Sequence, residues 1–203
     1  LQGLGGGNLA VAPGGSNRYA ALGHLRWFRS FADVHNLDVG VSSYYARAGG
    51  VDPPSDRHPT WLHGLDFLYK WKPLRAGEWR SLLFGGELFY SHRRAQEATE
   101  DITTPRTRKE RPLGYYLFGQ YQWSPRWYAG VRWDWTQTIE NDRFERMQLT
   151  PYLSYYFSEF LRARLGYEHT WSDLVRENGR DTFLFELNWI FGAHPPEPYW
   201  VNK

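Results

Sequence analysis

The sequence contains no cysteine among its 203 residues, and it has no run of about 18 consecutive apolar residues. The first absence excludes disulfides and thiolate chemistry, and it is compatible with an oxidising periplasm or cell surface. The second absence excludes a membrane-spanning helix. A chain of this kind that contacts lipid therefore has to cross it as a closed β-barrel.

The chain also lacks a strong charge of either sign. Its 24 Lys and Arg residues stand against 22 Asp and Glu residues, which leaves a formal net charge of +2. The basic residues are spread along the sequence, so we expect no nucleic-acid partner. The chain starts at Leu1 without a charged and then apolar signal peptide, and we therefore expect either a mature form or a fragment whose beginning lies elsewhere.

Aromatic residues are abundant instead. They make up 18% of the chain and include 11 Trp residues, although the mean hydropathy is −0.65. A soluble core would use mainly Val, Ile and Leu. Abundant Tyr, Trp and Phe beside charged residues are typical of a sheet that faces lipid on one side and water on the other.

Large apolar residues alternate with polar residues along most of the chain. In residues 161–171, for example, Leu161 and Leu165 fall on one face, whereas Arg162 and Arg164 fall on the other. A period of two predicts strands. The predicted strands cover residues 18–28, 37–48, 61–72, 79–93, 113–123, 127–137, 145–157, 161–172 and 182–192.

The predicted fold is all-β: a transmembrane antiparallel up-and-down β-barrel with about nine to ten strands visible. Residues 1–16 are rich in glycine and are interpreted as a lead-in or loop, residues 17–194 hold the barrel strands, and residues 195–203 form a Pro-rich periplasmic tail. Because nine strands is an odd number and bacterial barrels are even, either residues 1–16 supply one more strand or that strand is absent. We expect it to be absent, in a chain that is the C-terminal piece of a larger barrel or that completes its wall with another chain.

The connections between strands alternate in length, which is typical of outer-membrane barrels with short periplasmic turns and long outer loops. Short turns are predicted at 31–36, 73–78, 124–126 and 158–160, and longer polar segments at 50–60, 95–112, 138–144 and 173–181. The segment 97–112, rich in charge and threonine, is interpreted as a solvated loop.

The strand period places most charged residues on one face, which we interpret as the lining of an aqueous lumen. An Arg or Lys facing the bilayer midplane would cost about 2–4 kcal/mol, so the charged face has to point inward. The predicted lining residues are Arg26, Asp66, Lys70, Glu87, Arg93, Arg132, Asp134, Arg146, Arg162, Arg164, Glu168 and Glu186.

Two interpretations of these charges stay open. Rings of Arg and Lys would favour anionic solutes. Alternatively, the charges neutralise one another, in pairs such as Arg132 with Asp134 and Arg164 with Glu168. Aromatic residues near the strand ends are predicted to form interfacial girdles, namely Trp61, Trp123, Trp127, Tyr128 and Trp171.

No motif predicts catalysis, a cofactor or a metal site, so we expect no enzyme. Ser91 and His92 are adjacent on a strand and point to opposite faces, which prevents a nucleophile–base pair. His58 and His63 flank a loop end without further metal ligands.

The final strand, Phe183 to Phe191, carries an aromatic residue at most outward positions and is followed by Gly-Ala-His-Pro195. With the alternating strands, this ending resembles the C-terminal part of Gram-negative outer-membrane porin-like and receptor-like β-barrels, over nearly the whole chain. The resemblance implies an outer-membrane location, in contact with the lipid bilayer and lipopolysaccharide.

For function, we expect porin-like passage of small hydrophilic solutes, with anions favoured. The alternative is a non-conducting structural subunit or receptor in a larger outer-membrane complex with other barrel or envelope subunits. A third class, a soluble lectin-like sandwich, would leave a large apolar patch exposed on the last strand.

Overall fold

The structure is a computed structural model that describes residues 2–5, 19–49, 57–73, 79–96, 107–138, 144–173 and 179–191. The strands in this part of the chain are β1 Gln2–Gly5, β2 Tyr19–Phe31, β3 His35–Gly49, β4 Arg57–Trp71, β5 Ser81–Gln96, β6 Thr107–Glu110, β7 Leu113–Gln122, β8 Trp127–Gln137, β9 Glu145–Ser158, β10 Leu161–Ser172 and β11 Arg180–Trp189. The predicted tail, residues 195–203, lies outside the described residues.

The strands form one antiparallel meander, in the order β1-β2-β3-β4-β5-β7-β8-β9-β10-β11, and β6 pairs with the distal part of β5. The all-β antiparallel prediction is confirmed. Within the described residues, β1 pairs only with β2 and β11 pairs only with β10. The described sheet is therefore open at both edges and does not close into a barrel.

Two of the strands fall where loops were predicted. Strand β1, Gln2–Gly5, lies within the predicted lead-in, and β6, Thr107–Glu110, lies within the predicted loop 95–112. Both are held by backbone pairing to a longer neighbour, β2 and β5 respectively. Strand β1 is a glycine-rich segment of four residues, and β6 consists of four polar residues. Neither segment alternates between apolar and polar residues, so the sequence pattern did not predict either strand.

Tight turns join strands at one end of the sheet. Ala32–Val34, Ser124–Arg126 and Glu159–Phe160 connect consecutive strands, as predicted. Ala32 and Asp33 have φ values of 51° and 55°, a left-handed conformation that reverses the chain between β2 and β3. Much of each longer connection, at 50–56, 97–106, 139–143 and 174–178, lies outside the described residues, as does 74–78.

The sheet has little enclosed core. In the described part of the chain, the buried apolar side chains are those of Ala20, Ala46, Leu83 and Tyr128. A single sheet has no second layer to cover it, and so one of its faces has to meet another environment. A cavity of about 570 Å³ takes its lining from six strands, β4, β5 and β7–β10, which identifies one face as concave.

Candidate functional site

The pairing register places the predicted lining residues on the concave face. Residues opposite each other in an antiparallel pair share a face, and Asp66 pairs with Glu87, which pairs with Tyr116 and then Asp134. The same register continues to the other strands and includes Arg26, Lys70, Arg93, Arg132, Arg146, Arg162, Arg164, Glu168 and Glu186. That they line a water-filled lumen remains a prediction.

Five of these twelve residues line the cavity, and they divide by charge. The acidic ones, Asp66 and Glu87, come from β4 and β5, where they lie directly opposite each other. The Tyr116 hydroxyl donates to Glu87 Oε2 over 3.2 Å. The Asp66 carboxylate lies over Gly40, at a spot that any side chain on residue 40 would occupy. One part of the cavity wall is therefore acidic.

The arginines are Arg132 of β8 and Arg162 and Arg164 of β10, and each of them lies over a tyrosine ring. Arg132 Cζ lies 4.1 Å from the centre of the Tyr116 ring, and Arg164 Cζ lies 4.5 Å from that of Tyr152. Arg164 also donates from Nε to Ser154 Oγ over 3.0 Å. Cation–π contacts and hydrogen bonds thus fix the positions of the guanidinium groups along this wall.

The Tyr152 side chain lines the cavity and connects its own strand, β9, with β8 and β7. It extends from β9 over Gly130 of β8, where a Cβ would overlap its ring, and donates to Gln120 Oε1 of β7 over 3.0 Å. Glycine makes room for a ring from the next strand, an arrangement known to stabilise sheets. Gly130 and Gln120 are not among the residues predicted from the sequence, since the pairing of Gly130 with Tyr152 follows only from the register.

Most of the arginines on the concave face have acidic partners. Arg132 donates to both carboxylate oxygens of Asp134, with distances of 2.6–2.9 Å, as the neutralisation interpretation predicted. Similar pairs join Arg26 to Asp38, Arg93 to Glu110 and Arg162 to Glu186.

The predicted pair of Arg164 with Glu168 is wrong. Two residues four apart on a strand are separated by about 13 Å, whereas Glu186 lies directly opposite Arg164 on β11. Arg164 Nη1 accordingly lies 3.8 Å from Glu186 Oε2, and Glu168 accepts from Gln148 Nε2 over 2.8 Å. In the described structure, Lys70 and Arg146 have no ion-pair partner.

Aromatic clusters occupy both ends of the outward face. At the end with tight turns, the ring centres of Trp123 and Trp127 lie 6.2 Å apart. At the opposite end, Trp133 and Trp171 lie 6.1 Å apart. The assignment of Tyr128 to this girdle is wrong: it neighbours Trp127 and therefore points to the concave face, where its side chain is buried beside Tyr156.

The residues considered for catalysis and metal binding are not brought together. Ser91 donates to the backbone oxygen of Trp61 over 3.2 Å on the concave side, and His92 points to the other face. The described residues contain no group of three potential metal ligands, and the His58 side chain lies outside them. None of the described residues forms a helix that is long and apolar enough to cross a membrane.

Comparison with known proteins gives one distant relative. No protein-family model matches the chain, and no solved structure matches it. The chain is similar to an uncharacterized protein of Aquifex aeolicus (strain VF5), with 26% identity over 198 residues. The match covers 87% of the chain, and the chain spans about 40% of the length of that relative. The likeness assigns neither a family nor an activity.

Proposed function

We propose that the chain forms the wall, or part of the wall, of a transmembrane β-barrel in a bacterial outer membrane that passes small hydrophilic solutes in the manner of a porin. The observation that carries this proposal is the apolar outward face. Each of the nine strands β2–β5 and β7–β11 contributes at least one large apolar or aromatic side chain that is exposed there.

The degree of exposure argues against a water-facing surface. Leu25 is 76% exposed, Leu165 59% and Phe183 84%, and the other strands fill the band between them. Exposed apolar patches on soluble monomers rarely exceed a few hundred Å², whereas this band extends over the whole sheet. A hydrocarbon environment would remove this apolar band from water. Since the band contains no charged side chains, none of them would have to lose its hydration.

Charged residues avoid this face. Among the outward positions whose side chains are described on the ten meander strands, Arg, Lys, Asp and Glu occur only near strand ends, at Arg29, Glu145 and Asp181. A charge at the bilayer midplane costs about 2–4 kcal/mol, and near the interfaces the cost falls to about 0–1 kcal/mol. Charged residues that occur only near strand ends are typical of a surface that faces lipid.

The spacing of the aromatic residues fits a bilayer. Trp61 and Trp71 lie at opposite ends of the outward face of β4, ten residues apart. Ten residues rise about 33 Å along a strand, which corresponds to about 25 Å along the membrane normal at a tilt of about 40°. That height is typical of the apolar band of outer-membrane barrels.

Open sheet edges support a wall with further strands. The outer edges of β1 and β11 are unpaired in the described structure, and β1 covers only Tyr19–Leu22 of β2. Unpaired backbone groups in lipid cost several kcal/mol each, so a membrane-embedded form has to pair these edges with other strands. Those strands belong to another segment of the protein, another chain or a second copy.

The concave face supports passage of hydrophilic solutes. Its charges and its cavity of about 570 Å³ provide a polar surface inside an apolar wall. Basic and acidic side chains nearly balance there, and Lys70 and Arg146 are basic residues outside the ion pairs. We therefore expect weak selectivity for anions.

Planar-bilayer recordings of the refolded chain test this function. We expect discrete conductance steps, and we expect the double variant Lys70→Gln with Arg146→Gln to shift the reversal potential toward cations in a salt gradient. Arg29→Gln is the matched control, since it removes a charge from the outward face and should leave the reversal potential unchanged. Inserted protein without conductance would contradict the porin-like function.

A second candidate is a non-conducting barrel subunit or receptor. Five aromatic residues line the cavity, namely Phe67, Tyr116, Phe118, Tyr152 and Tyr156, and each of the three tyrosine rings contacts an arginine. Such stacks fill space that a solute would need. Membrane-inserted protein that stays silent in the recordings, and that begins to conduct after Tyr152→Ala, would favour this candidate.

A further inference from the structure

The acidic wall of the cavity on the concave face has no cation of its own. Asp66 and Glu87 lie directly opposite each other on β4 and β5, and both line the cavity. Neither carboxylate has an ion-pair partner among the described residues, although the Tyr116 hydroxyl donates to Glu87. Two like charges that face each other across a strand pair are destabilising. A cation bound between them would therefore stabilise this wall.

Two arginines of the cavity keep N–H groups that no described residue accepts from, although each has an acidic neighbour. Arg132 donates to Asp134 from Nε and Nη2, which leaves its Nη1. Arg164 donates from Nε to Ser154, and its Nη1 lies 3.8 Å from Glu186 Oε2, beyond hydrogen-bond distance. A guanidinium has five N–H groups, so each of these arginines can still donate to an anion in the cavity.

Tyr116 contacts both the acidic and the basic side of the cavity. Its hydroxyl donates to Glu87 Oε2 over 3.2 Å, and its ring centre lies 4.1 Å from Arg132 Cζ. One tyrosine side chain thus reaches both charges, which places them close enough for one small solute to reach both as well. Phe118 stacks on Tyr116 with ring centres 6.4 Å apart, and Leu83 also lines the cavity. The charges are therefore accompanied by an apolar surface.

We propose that this cavity binds a dipeptide, with its ammonium group at Asp66 and Glu87 and its carboxylate at Arg132 and Arg164. A simple anion would meet the two carboxylates, and a simple cation would meet the arginines, whereas a zwitterion forms charge-assisted hydrogen bonds with both walls.

The separation of its charges favours a dipeptide over a single amino acid. A dipeptide carries its two charges on Cα atoms about 3.8 Å apart, and an amino acid carries both on one Cα atom. The cavity of about 570 Å³ lies within the range of about 300–1,000 Å³ that is typical of small-ligand sites. The inference rests on the proposed function, because it names the class of solute for which the concave face would serve as a path.

The test uses the unmodified chain, refolded in detergent micelles, and the dipeptide alanylleucine as the probe. Isothermal titration calorimetry compares its Kd with those of its N-acetylated and C-amidated forms, each of which lacks one of the two charges. We expect each modification to weaken binding about tenfold or more, as the loss of a charge-assisted contact allows. Equal affinities for the three ligands, or no binding of alanylleucine at about 10 mM, would overturn the proposal.

Two double variants test which wall holds which charge. Asp66→Asn with Glu87→Gln should bind the free and the N-acetylated dipeptide about equally, and should still prefer the free carboxylate to the amide. Arg132→Gln with Arg164→Gln should show the opposite pattern. Asp181→Asn, which removes a carboxylate from the outward face, is the matched control and should keep both preferences. If either double variant also keeps both preferences, the dipeptide binds elsewhere and the proposal is overturned.

Planar-bilayer recordings with alanylleucine separate this proposal from the porin-like function. We expect the dipeptide to interrupt the conductance steps, and its C-amidated form to do so only at about tenfold higher concentration. Conductance in a chain that does not discriminate among the three ligands would overturn the dipeptide site alone. Specific binding of alanylleucine by a chain that inserts but does not conduct would uphold the site and contradict the porin-like function.

Discussion

The substitution Leu65→Arg tests whether the outward face meets lipid. Leu65 lies near the middle of β4, four residues from Trp61 and six from Trp71, and its side chain is 47% exposed. On a water-facing surface, an exposed leucine replaced by arginine changes the free energy of unfolding by about 0.5 kcal/mol or less. At the midplane of a bilayer the same change costs about 2–4 kcal/mol.

The matched control is Leu62→Arg. Leu62 lies on the same strand but on the concave face, opposite Tyr44 and Ser91. In the proposed barrel an arginine at this position reaches water. The Leu62→Arg variant loses only the partial burial of the leucine side chain, which lowers the free energy of unfolding by about 1 kcal/mol. The difference between the two variants therefore isolates the cost of placing a charge in lipid.

The assay is urea unfolding of the chain in lipid vesicles, followed by tryptophan fluorescence and by mobility on a gel with and without boiling. We expect the Leu65→Arg variant to be less stable than the Leu62→Arg variant by about 1–3 kcal/mol. Equal stabilities of the two variants would refute the reasoning, since the outward face would then be in contact with water.

Three further predictions concern the packing of the concave face, each measured as a shift in urea midpoint at unchanged slope. Gly130→Ala should destabilise by about 1–3 kcal/mol because its Cβ overlaps the Tyr152 ring, whereas Gly23→Ala, with no atom within 4 Å, should be neutral or slightly stabilising. Tyr152→Phe should cost about 0.5–1.5 kcal/mol through the lost hydrogen bond to β7. Asp38→Asn should cost about 1–3 kcal/mol because it weakens the contact with Arg26, and a loss no greater than that of Gly23→Ala would contradict the ion-pair assignment.

The alternation of side chains predicted most of the sheet. In β4, for example, apolar residues such as Leu65 lie on one face and charged residues such as Asp66 lie on the other. Where a strand has this pattern, the sequence predicts both its location and the face on which each side chain lies. The signal fails where no apolar residue marks a face. Strands β1 and β6 form through backbone pairing alone, and pairing to a neighbour leaves no mark on a short glycine-rich or wholly polar segment.

The candidate site was predictable as a set of positions but not as contacts. Period two placed Arg164 and Glu186 on one face, yet it could not show that they lie opposite each other, because register depends on turns and on the pairing of distant strands. For the same reason the space that Gly130 leaves for Tyr152 was not visible. The stacked rings of His63 and Tyr90 likewise depend on the register of β4 and β5, which places these residues opposite each other.

The most direct test of the account is the accessibility of spin labels at three consecutive positions. Because the chain has no cysteine, Leu65→Cys, Asp66→Cys and Phe67→Cys each give a single labelling site. In vesicles, we predict that labels at 65 and 67 collide with oxygen dissolved in lipid and that the label at 66 collides with a water-soluble nickel chelate. Three labels that all meet the nickel chelate equally would contradict a lipid-facing outward surface.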